Sequence, residues 1–165
     1  MKTLLIMRHA KSSWKDASRV DHDRPLNKRG KNDAPRLGRL LLAESLVPDL
    51  IITSSAKRAK QTAKRLAAGC GYQGELIVEE NLYLAKADTY LDLIQHLPET
   101  ADVVLLIGHN PLCEEMVERW TGQFVTMPTA TVAQLTLATP FWSDFLKSGA
   151  PVLETLWKPR ELEDA

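Results

Sequence analysis

The stretch LLIMRHAKS, residues 4–12, decides the fold, because a short apolar run passes directly into an arginine and a histidine. Such a run is typical of a strand buried on both faces of a parallel sheet, and we predict a strand over residues 3–7. Because α/β sheets bind ligands beyond the carboxyl ends of their strands, Arg8 and His9 are expected at a ligand site. A guanidinium offers a fork for phosphate oxygens and an imidazole offers a nitrogen nucleophile, so the pair points to phosphate chemistry.

The same pattern occurs twice more along the chain. The apolar run at residues 50–52 leads to Ser54 and then to Arg58, and the run at residues 103–107 leads to His109. Each time, an apolar strand ends in a cationic or imidazole-bearing turn that passes into a helical segment. This repetition predicts that the three turns lie at one edge of a sheet and form one active site.

Strand and helix patterns alternate along the whole chain. Asn27 is predicted to cap the first helix, and Asn110 with Pro111 is predicted to open the last one. We predict a single α/β domain over residues 1–165, a three-layer α/β/α sandwich whose mostly parallel sheet carries an antiparallel edge strand. The charged residues 159–165 are expected to form a frayed tail. The pattern places strands at residues 3–7, 50–53, 75–78, 102–107, 129–137 and 152–157, and helices at residues 27–45, 57–69, 88–97 and 111–120.

Composition narrows the classes of function. The chain has 165 residues, 44% of them hydrophobic, which suits one domain with a sizeable core. The first apolar run is too short for a signal peptide and no run approaches the roughly 20 residues that span a bilayer, so we expect a cytoplasmic protein with no membrane partner. Cys70 and Cys113 lack metal-ligand spacing and are expected to be ordinary thiols, and no cofactor is expected.

Charge is unevenly distributed although the net charge is zero. Residues 1–65 hold 16 Lys or Arg against 6 Asp or Glu, and residues 66–165 hold 5 against 15. Zero net charge argues against a general nucleic-acid binder. Two interpretations of the basic half, which carries Arg8 and Arg58, stay open: a solvated surface with scattered charges, or a field that draws a phosphorylated anion to the site.

The residue types at the three strand ends indicate what the site can do. Phosphoryl transfer depends mainly on positioning and on stabilising the charge of the phosphoryl oxygens, which Arg8, Arg58 and His109 can supply. A nucleophilic histidine needs a neutral ring nitrogen, and the neighbouring guanidinium charges are expected to lower the pKa of His9. A metal ion fits poorly because it would lie among arginines with no carboxylate at ligand spacing, so we predict no metal.

In the order and spacing of Arg8-His9, Arg58 and Gly108-His109, nearly the whole chain resembles the histidine phosphatase superfamily, also called the phosphoglycerate mutase-like or branch-one histidine phosphatases. The resemblance implies a covalent phosphohistidine intermediate on His9, with Arg8 and Arg58 clamping the phosphoryl oxygens and His109 stabilising their charge. The chain is similar in particular to the compact bacterial phosphohistidine phosphatases, which remove phosphate from histidine-containing phosphotransfer domains. The segments that carry this similarity are residues 8–14, 21–30, 54–62 and 127–130.

Two departures from the superfamily pattern bear on the substrate. Ala10 stands where the motif usually has glycine, which is tolerable only at a negative φ. Asn110 follows His109 where some members place a carboxylic acid, and Glu79 and Glu80 are expected to be exposed bystanders rather than proton donors. Without a dedicated acid an alkoxide leaving group is disfavoured, whereas the imidazole of a phosphoramidate leaves readily once its ring is protonated.

These observations predict a phosphohistidine phosphatase that acts on a protein histidine, such as that of a histidine-containing phosphotransfer domain. Two alternatives stay open: a small-molecule phosphomonoesterase of the same superfamily, and a non-catalytic phosphoprotein-binding module. The intact His9 argues against the binding module, since binding alone needs only the cations. Arg24 and Asn110 are candidate substrate-binding residues, although Arg24 fits equally well as an anchor of its own loop.

Overall fold

One six-stranded sheet organises residues 1–163, the part of the chain that this computed structural model describes. The strands are β1 (Lys2–Arg8), β2 (Leu50–Ser54), β3 (Leu76–Glu79), β4 (Val103–Gly108), β5 (Val132–Leu137) and β6 (Val152–Trp157). Across the sheet they follow the order β3-β2-β4-β1-β5-β6. The first four strands are parallel to one another, while β5 pairs antiparallel with β1 and the edge strand β6 pairs antiparallel with β5. The predicted mostly parallel sheet with an antiparallel edge pairing is confirmed.

Helices cover both faces of this sheet. They are α1 (Lys28–Ala43), α2 (Lys57–Cys70), α3 (Ala87–Gln95) and α4 (Leu112–Thr121). Side chains alternate along β1, so Leu4 and Ile6 belong to the core under α3 and α4, whereas Leu5 and Met7 belong to the core under α1 and α2. The predicted three-layer α/β/α sandwich is therefore confirmed. Within residues 1–163, no helix combines the length and the apolar character that crossing a membrane requires.

The start of α1 follows its sequence signal. The side-chain oxygen of Asn27 accepts a hydrogen bond from the Gly30 N–H at 2.9 Å, as the predicted N-cap requires. Glycine is needed at this position, because a Cβ atom on Gly30 would lie 2.2 Å from the Lys11 carbonyl oxygen. The helix therefore packs directly against the loop that follows β1 and its Arg8-His9 end.

The start of α4 differs from the prediction. Asn110 is not its N-cap, since the helix begins at Leu112 and the capping position belongs to Pro111. The physical reason lies in the Asn110 side chain, whose amide donates to the Glu114 carboxylate at 3.0 Å and to the Met127 carbonyl at 2.9 Å. Asn110 thus ties α4 to the segment that enters β5.

The C-terminal segment is more ordered than its charge suggests. Residues 159–161 form a 3-10 turn, Pro159 is buried, and Leu162 packs partly against the core under α1 and α2. The removal of these two apolar side chains from water favours this turn at residues 159–162, while fraying of the tail stays an expectation. Residues 164 and 165, which belong to the same expectation, lie outside the described residues.

Two glycines set the distance between α1 and α2. A Cβ atom on Gly38 would lie 2.3 Å from the Leu66 carbonyl oxygen, and one on Gly69 would lie 2.4 Å from the Pro35 carbonyl oxygen. Both obstacles are helix backbone, which cannot rotate away as a side chain can. Larger residues at either position therefore require the two helices to separate.

Gly38→Ala is expected to lower the free energy of unfolding by about 2 kcal/mol, because an overpacking cost of about 3 kcal/mol exceeds a gain of about 1 kcal/mol in helix propensity. Urea denaturation measures the change. The matched control is Gly74→Ala, whose added Cβ atom meets the far end of the partly exposed Tyr72 side chain, which can move aside. Equal losses in both variants would contradict the role of the helix contact.

Candidate active site

Three strand ends meet at the carboxyl edge of the sheet. β2, β4 and β1 are neighbours, and Arg8 pairs with Gly108, so the residues that follow them, His9 and His109, emerge side by side. The centroids of the two imidazole rings are 5.1 Å apart. Arg58, in the first turn of α2, reaches both rings. The structure thus brings together the four residues that the sequence pattern predicts at one site.

His9 is fixed in orientation and tautomer. The residue is 6% exposed, and its Nδ1 atom lies 2.7 Å from the Ala10 carbonyl oxygen. A carbonyl oxygen only accepts, so Nδ1 carries the proton and Nε2 keeps its lone pair. The Nε–H of Arg58 donates to this Nε2 atom at 3.3 Å. The unprotonated nitrogen of His9 therefore faces a guanidinium group.

The backbone around Ala10 holds this arrangement. The Ala10 N–H donates to Thr62 Oγ1 at 3.0 Å, and that hydroxyl donates to the Arg58 carbonyl at 2.7 Å. The loop after β1 is thereby tied to the first turns of α2. Ala10 is not among the non-glycine residues with positive φ in the described chain, so its φ is negative and alanine fits the position.

The environment keeps His9 neutral. Its pKa falls to about 3, with burial as the largest cause. The charges of His109, Arg58 and Arg8 act in the same direction, while the hydrogen bond to Ala10 raises the pKa in part. At neutral pH the ring is therefore a neutral imidazole with a free lone pair on Nε2, as a nitrogen nucleophile requires.

His109 has a similar protonation state and a different set of partners. Its Nδ1 atom lies 3.5 Å from Arg58 Nη2, and its Nε2 atom lies 2.8 Å from Ser54 Oγ. Because a guanidinium only donates, Nδ1 is the unprotonated nitrogen and Nε2–H donates to Ser54. Burial, followed by the charge of Arg58, lowers the pKa of His109 to about 4, and Asp21 raises it in part.

The two arginines present donors around the imidazoles. Arg58 is buried, and its Nη1 and Nη2 atoms donate to the Asp21 carbonyl at 2.8 Å and to the Asp21 carboxylate at 3.0 Å. Arg8 is half-buried and donates from Nη1 to the Met127 carbonyl at 3.2 Å, whereas its Nε–H is buried without a hydrogen-bond partner. A buried, unpaired guanidinium donor next to His9 favours an anionic ligand.

Comparison with known proteins places the chain in a family. The sequence profile of the histidine phosphatase superfamily (branch 1) matches residues 4–83, which contain His9 and Arg58. An uncharacterized protein of Mycobacterium tuberculosis is 31% identical over 168 residues, covering 93% of this chain and 100% of the relative. The chain belongs to the histidine phosphatase superfamily, branch 1.

Solved structures extend the similarity over the whole fold. SixA from Agrobacterium tumefaciens, assigned as a phosphohistidine phosphatase, matches with a TM-score of 0.81 at 27% identity, covering 96% of this chain and 98% of that chain. SixA from Nakamurella multipartita, with the same assignment, matches with a TM-score of 0.83 at 25% identity and covers 96% of each chain. Membership and these similarities support phosphatase activity for this chain.

Arg24 and Asn110, the two candidate substrate-binding residues, have different surroundings. Arg24 is buried, donates to Asp21 Oδ1 at 3.2 Å and to Ser12 Oγ at 3.0 Å, and stacks its guanidinium 3.4 Å from the centre of the Trp14 ring. These contacts are those of a loop anchor. Asn110 lines the cleft beside His109, and its Oδ1 atom is buried without a partner, so its role in substrate binding stays a prediction.

Three polar residues at the site were not predicted from the sequence. Ser54 holds His109, Asp21 holds Arg58, and the Tyr83 hydroxyl donates to the Asp21 carboxylate. Ser54 is the last residue of β2, and its position at the carboxyl end of a strand could have identified it as a site residue. Asp21 and Tyr83 come from loops without a periodic pattern, and their proximity depends on the tertiary fold.

A cleft of about 590 Å³ opens onto Arg58 and His109. Glu115 from α4 lines it, whereas Glu79 and Glu80 do not. Within residues 1–163 the side chains of Glu79 and Glu80 form no hydrogen bond or ion pair. In the same part of the chain no group of three or more His, Cys, Asp or Glu side chains is arranged to hold a metal ion.

Proposed function

We propose that this protein is a cytoplasmic phosphohistidine phosphatase of signal transduction, which removes phosphate from a protein histidine such as that of a histidine-containing phosphotransfer domain. The observation that carries the proposal is the unprotonated Nε2 atom of buried His9, which accepts from Arg58, together with the unpaired Nε–H of the preceding residue, Arg8. This arrangement combines a nitrogen nucleophile with cationic donors for phosphoryl oxygens. The similarity to SixA supports the same class of substrate.

The reaction proceeds in two transfers. His9 Nε2 forms a bond to phosphorus while the P–N bond to the substrate imidazole breaks, and the leaving nitrogen takes a proton from solvent. Water then attacks the phosphorus atom, the bond to His9 breaks, and inorganic phosphate leaves with His9 again neutral. Arg8 and Arg58 stabilise the charge on the phosphoryl oxygens in both steps, and so does His109, whose ring takes up a proton when a bound dianion raises its pKa.

The Asp21 carboxyl group, which bonds to Arg58, is ionised, and this favours an imidazole leaving group. The hydrogen bond from Tyr83, followed by the charge of Arg58, lowers the pKa of Asp21 to about 2, so Asp21 is ionised and cannot act as a general acid at neutral pH. An alkoxide needs such an acid in the transition state, whereas an imidazole protonated by solvent does not. The site therefore suits a phosphoramidate better than an alkyl phosphate.

A second candidate is a small-molecule phosphomonoesterase of the same superfamily. Glu115 favours it, because this carboxyl group lines the cleft together with His109 and has the chemistry of a proton donor to an alkoxide. A non-catalytic binding module is less well supported, since phosphate binding needs the arginines but not a histidine nitrogen kept free of its proton.

Substrate preference separates these functions. We expect the native protein to hydrolyse a phosphohistidine domain and phosphoramidate far faster than alkyl phosphates, in a release assay for inorganic phosphate. Glu79→Gln, Glu80→Gln and Glu115→Gln should each stay within a few-fold of native, whereas loss of a working general acid costs about 10²–10⁴-fold. Efficient hydrolysis of alkyl phosphates together with a large loss in Glu115→Gln would establish the phosphomonoesterase instead.

Anion binding is expected to depend on pH through His109. With no ligand its pKa is about 4, and a bound dianion raises that pKa because the protonated ring then donates to it. Between the two pKa values binding takes up a proton, so the affinity for sulfate should fall as pH rises from 5 to 7, by at most about tenfold per pH unit.

Isothermal titration calorimetry with sulfate in two buffers of different ionisation enthalpy measures both the affinity and the proton uptake. His109→Gln should bind sulfate more weakly and flatten the pH dependence. A pH dependence that persists unchanged in His109→Gln would assign the proton to another group.

A further inference from the structure

Asp21 accepts hydrogen bonds from three side chains at the active site. Its backbone carbonyl and its Oδ2 atom accept from the two terminal nitrogens of Arg58, at 2.8 Å and 3.0 Å. The Tyr83 hydroxyl donates to the same Oδ2 atom at 2.5 Å. Arg24 Nε donates to Oδ1 at 3.2 Å. One carboxylate thus connects the loop after β1, the start of α2 and the loop after β3.

These contacts fix the direction of the Arg58 guanidinium. The group is planar, so two hydrogen bonds to Asp21 set the plane and leave Nε–H directed at His9 Nε2. The Asp21 side chain is 49% exposed, so its orientation depends on its bonds to Arg24, Arg58 and Tyr83. Tyr83 restrains it from the loop after β3, and the Tyr83 ring packs edge-on against His109 at 5.7 Å between centroids.

We infer that Asp21 and Tyr83 are positioning residues that aim Arg58 at the nucleophile His9. They act through Arg58, since each bonds to Arg58 or to its carboxylate partner. For turnover the inference rests on the proposed function, but the aim of Arg58 also governs the binding of any tetrahedral dianion. The lowered pKa of Asp21, caused first by Tyr83, keeps the carboxylate charged for this task.

A double-mutant cycle tests this coupling. Tyr83→Phe keeps the ring and removes only the hydroxyl, and we expect it to lower kcat/KM for phosphoramidate about tenfold, the scale of one hydrogen bond to a charged group. Asp21→Asn should cost more, because Arg58 loses its charged acceptor. In an Arg58→Ala background neither substitution should change kcat/KM by more than about twofold, since residues in one network are not additive.

The matched control is Tyr72→Phe, which removes a hydroxyl that bonds to the Glu75 carbonyl away from the site. It should leave kcat/KM unchanged. Circular dichroism and thermal unfolding of every variant identify any loss of folded protein. A general structural role for Tyr83 would lower activity by the same factor with or without Arg58, and that result would overturn the inference.

Sulfate affinity, measured across the same cycle, separates this inference from the proposed function. If the native protein fails to hydrolyse phosphohistidine but sulfate binding shows the non-additive pattern, the positioning role stands and the proposed substrate falls. If turnover of phosphohistidine is efficient but Tyr83→Phe has native kcat/KM and sulfate affinity, the positioning role falls alone. If sulfate does not bind the native protein and no substrate is turned over, both are overturned.

Discussion

His9→Ala is expected to abolish phosphatase turnover. Loss of an enzyme nucleophile costs on the order of 10⁴–10⁶-fold in kcat, because the covalent step is lost with it. Phosphate release from phosphoramidate, followed over hours at high enzyme concentration, measures the residual rate.

The folded state should tolerate this substitution. His9 is buried, but its two side-chain hydrogen bonds, to the Ala10 carbonyl and from Arg58, lie within the active site and not in the core of the sheet. His96→Ala is the matched control, because this histidine is exposed at the C-cap of α3 and its side chain contacts Asp92 rather than a residue of the site. Activity near the native level in His9→Ala, with native circular dichroism, would show that the nucleophile has been assigned to the wrong residue.

Arg58→Ala is expected to have the next largest effect. Removal of one preorganised donor to transition-state charge costs about 10²–10³-fold in kcat, or roughly 2.7–4 kcal/mol. Arg58 also donates to His9 Nε2 and lies 3.5 Å from His109 Nδ1, so its loss leaves both imidazoles without their cationic neighbour. We therefore expect both vanadate affinity and kcat to fall.

Lys57→Ala is the matched control for this variant. Lys57 precedes Arg58 in the same first turn of α2, and within residues 1–163 its side chain forms no hydrogen bond or ion pair. The Lys57→Ala substitution removes one positive charge from the first turn of α2 and leaves the contacts of the two imidazoles intact, so it should change turnover only a few-fold. Vanadate affinity and kcat that fall equally in both variants would reduce the role of Arg58 to its contribution to the overall field.

Much of this site could be predicted from local sequence. Three apolar runs form parallel strands whose carboxyl ends meet at one edge of the sheet. The runs lead into Arg8-His9, Arg58 and His109. The reason is general: a strand buried on both faces has a sequence pattern of its own, and parallel strands must open their carboxyl ends on the same side. The side chains at those ends were therefore expected to meet.

Other features depend on contacts that local sequence does not encode. Asp21 and Tyr83 are 62 positions apart, and only the packed loops bring the hydroxyl to the carboxylate. Asn110 is a residue type typical of N-caps, but its side-chain amide donates hydrogen bonds to the Glu114 carboxylate and the Met127 carbonyl. Tertiary hydrogen bonds thus overrode a local capping signal.

The order of the C-terminal turn has a similar origin. Pro159 and Leu162 gain burial from the core under α1 and α2, which a reading of charge in residues 159–165 could not take into account. Glu115 was not predicted as a site residue, because an exposed carboxylate is ordinary on the polar face of an amphipathic helix. Only the folded structure shows that a cleft lies beside it.

Rapid-quench trapping of a phosphoenzyme tests the central claim most directly. The native protein, mixed with a phosphohistidine domain labelled with ³²P and quenched within milliseconds, should carry an acid-labile, base-stable phosphate that peptide mapping assigns to His9. His9→Ala should carry none under the same conditions. Release of inorganic phosphate at the native rate with no label on His9 would contradict the covalent phosphohistidine mechanism.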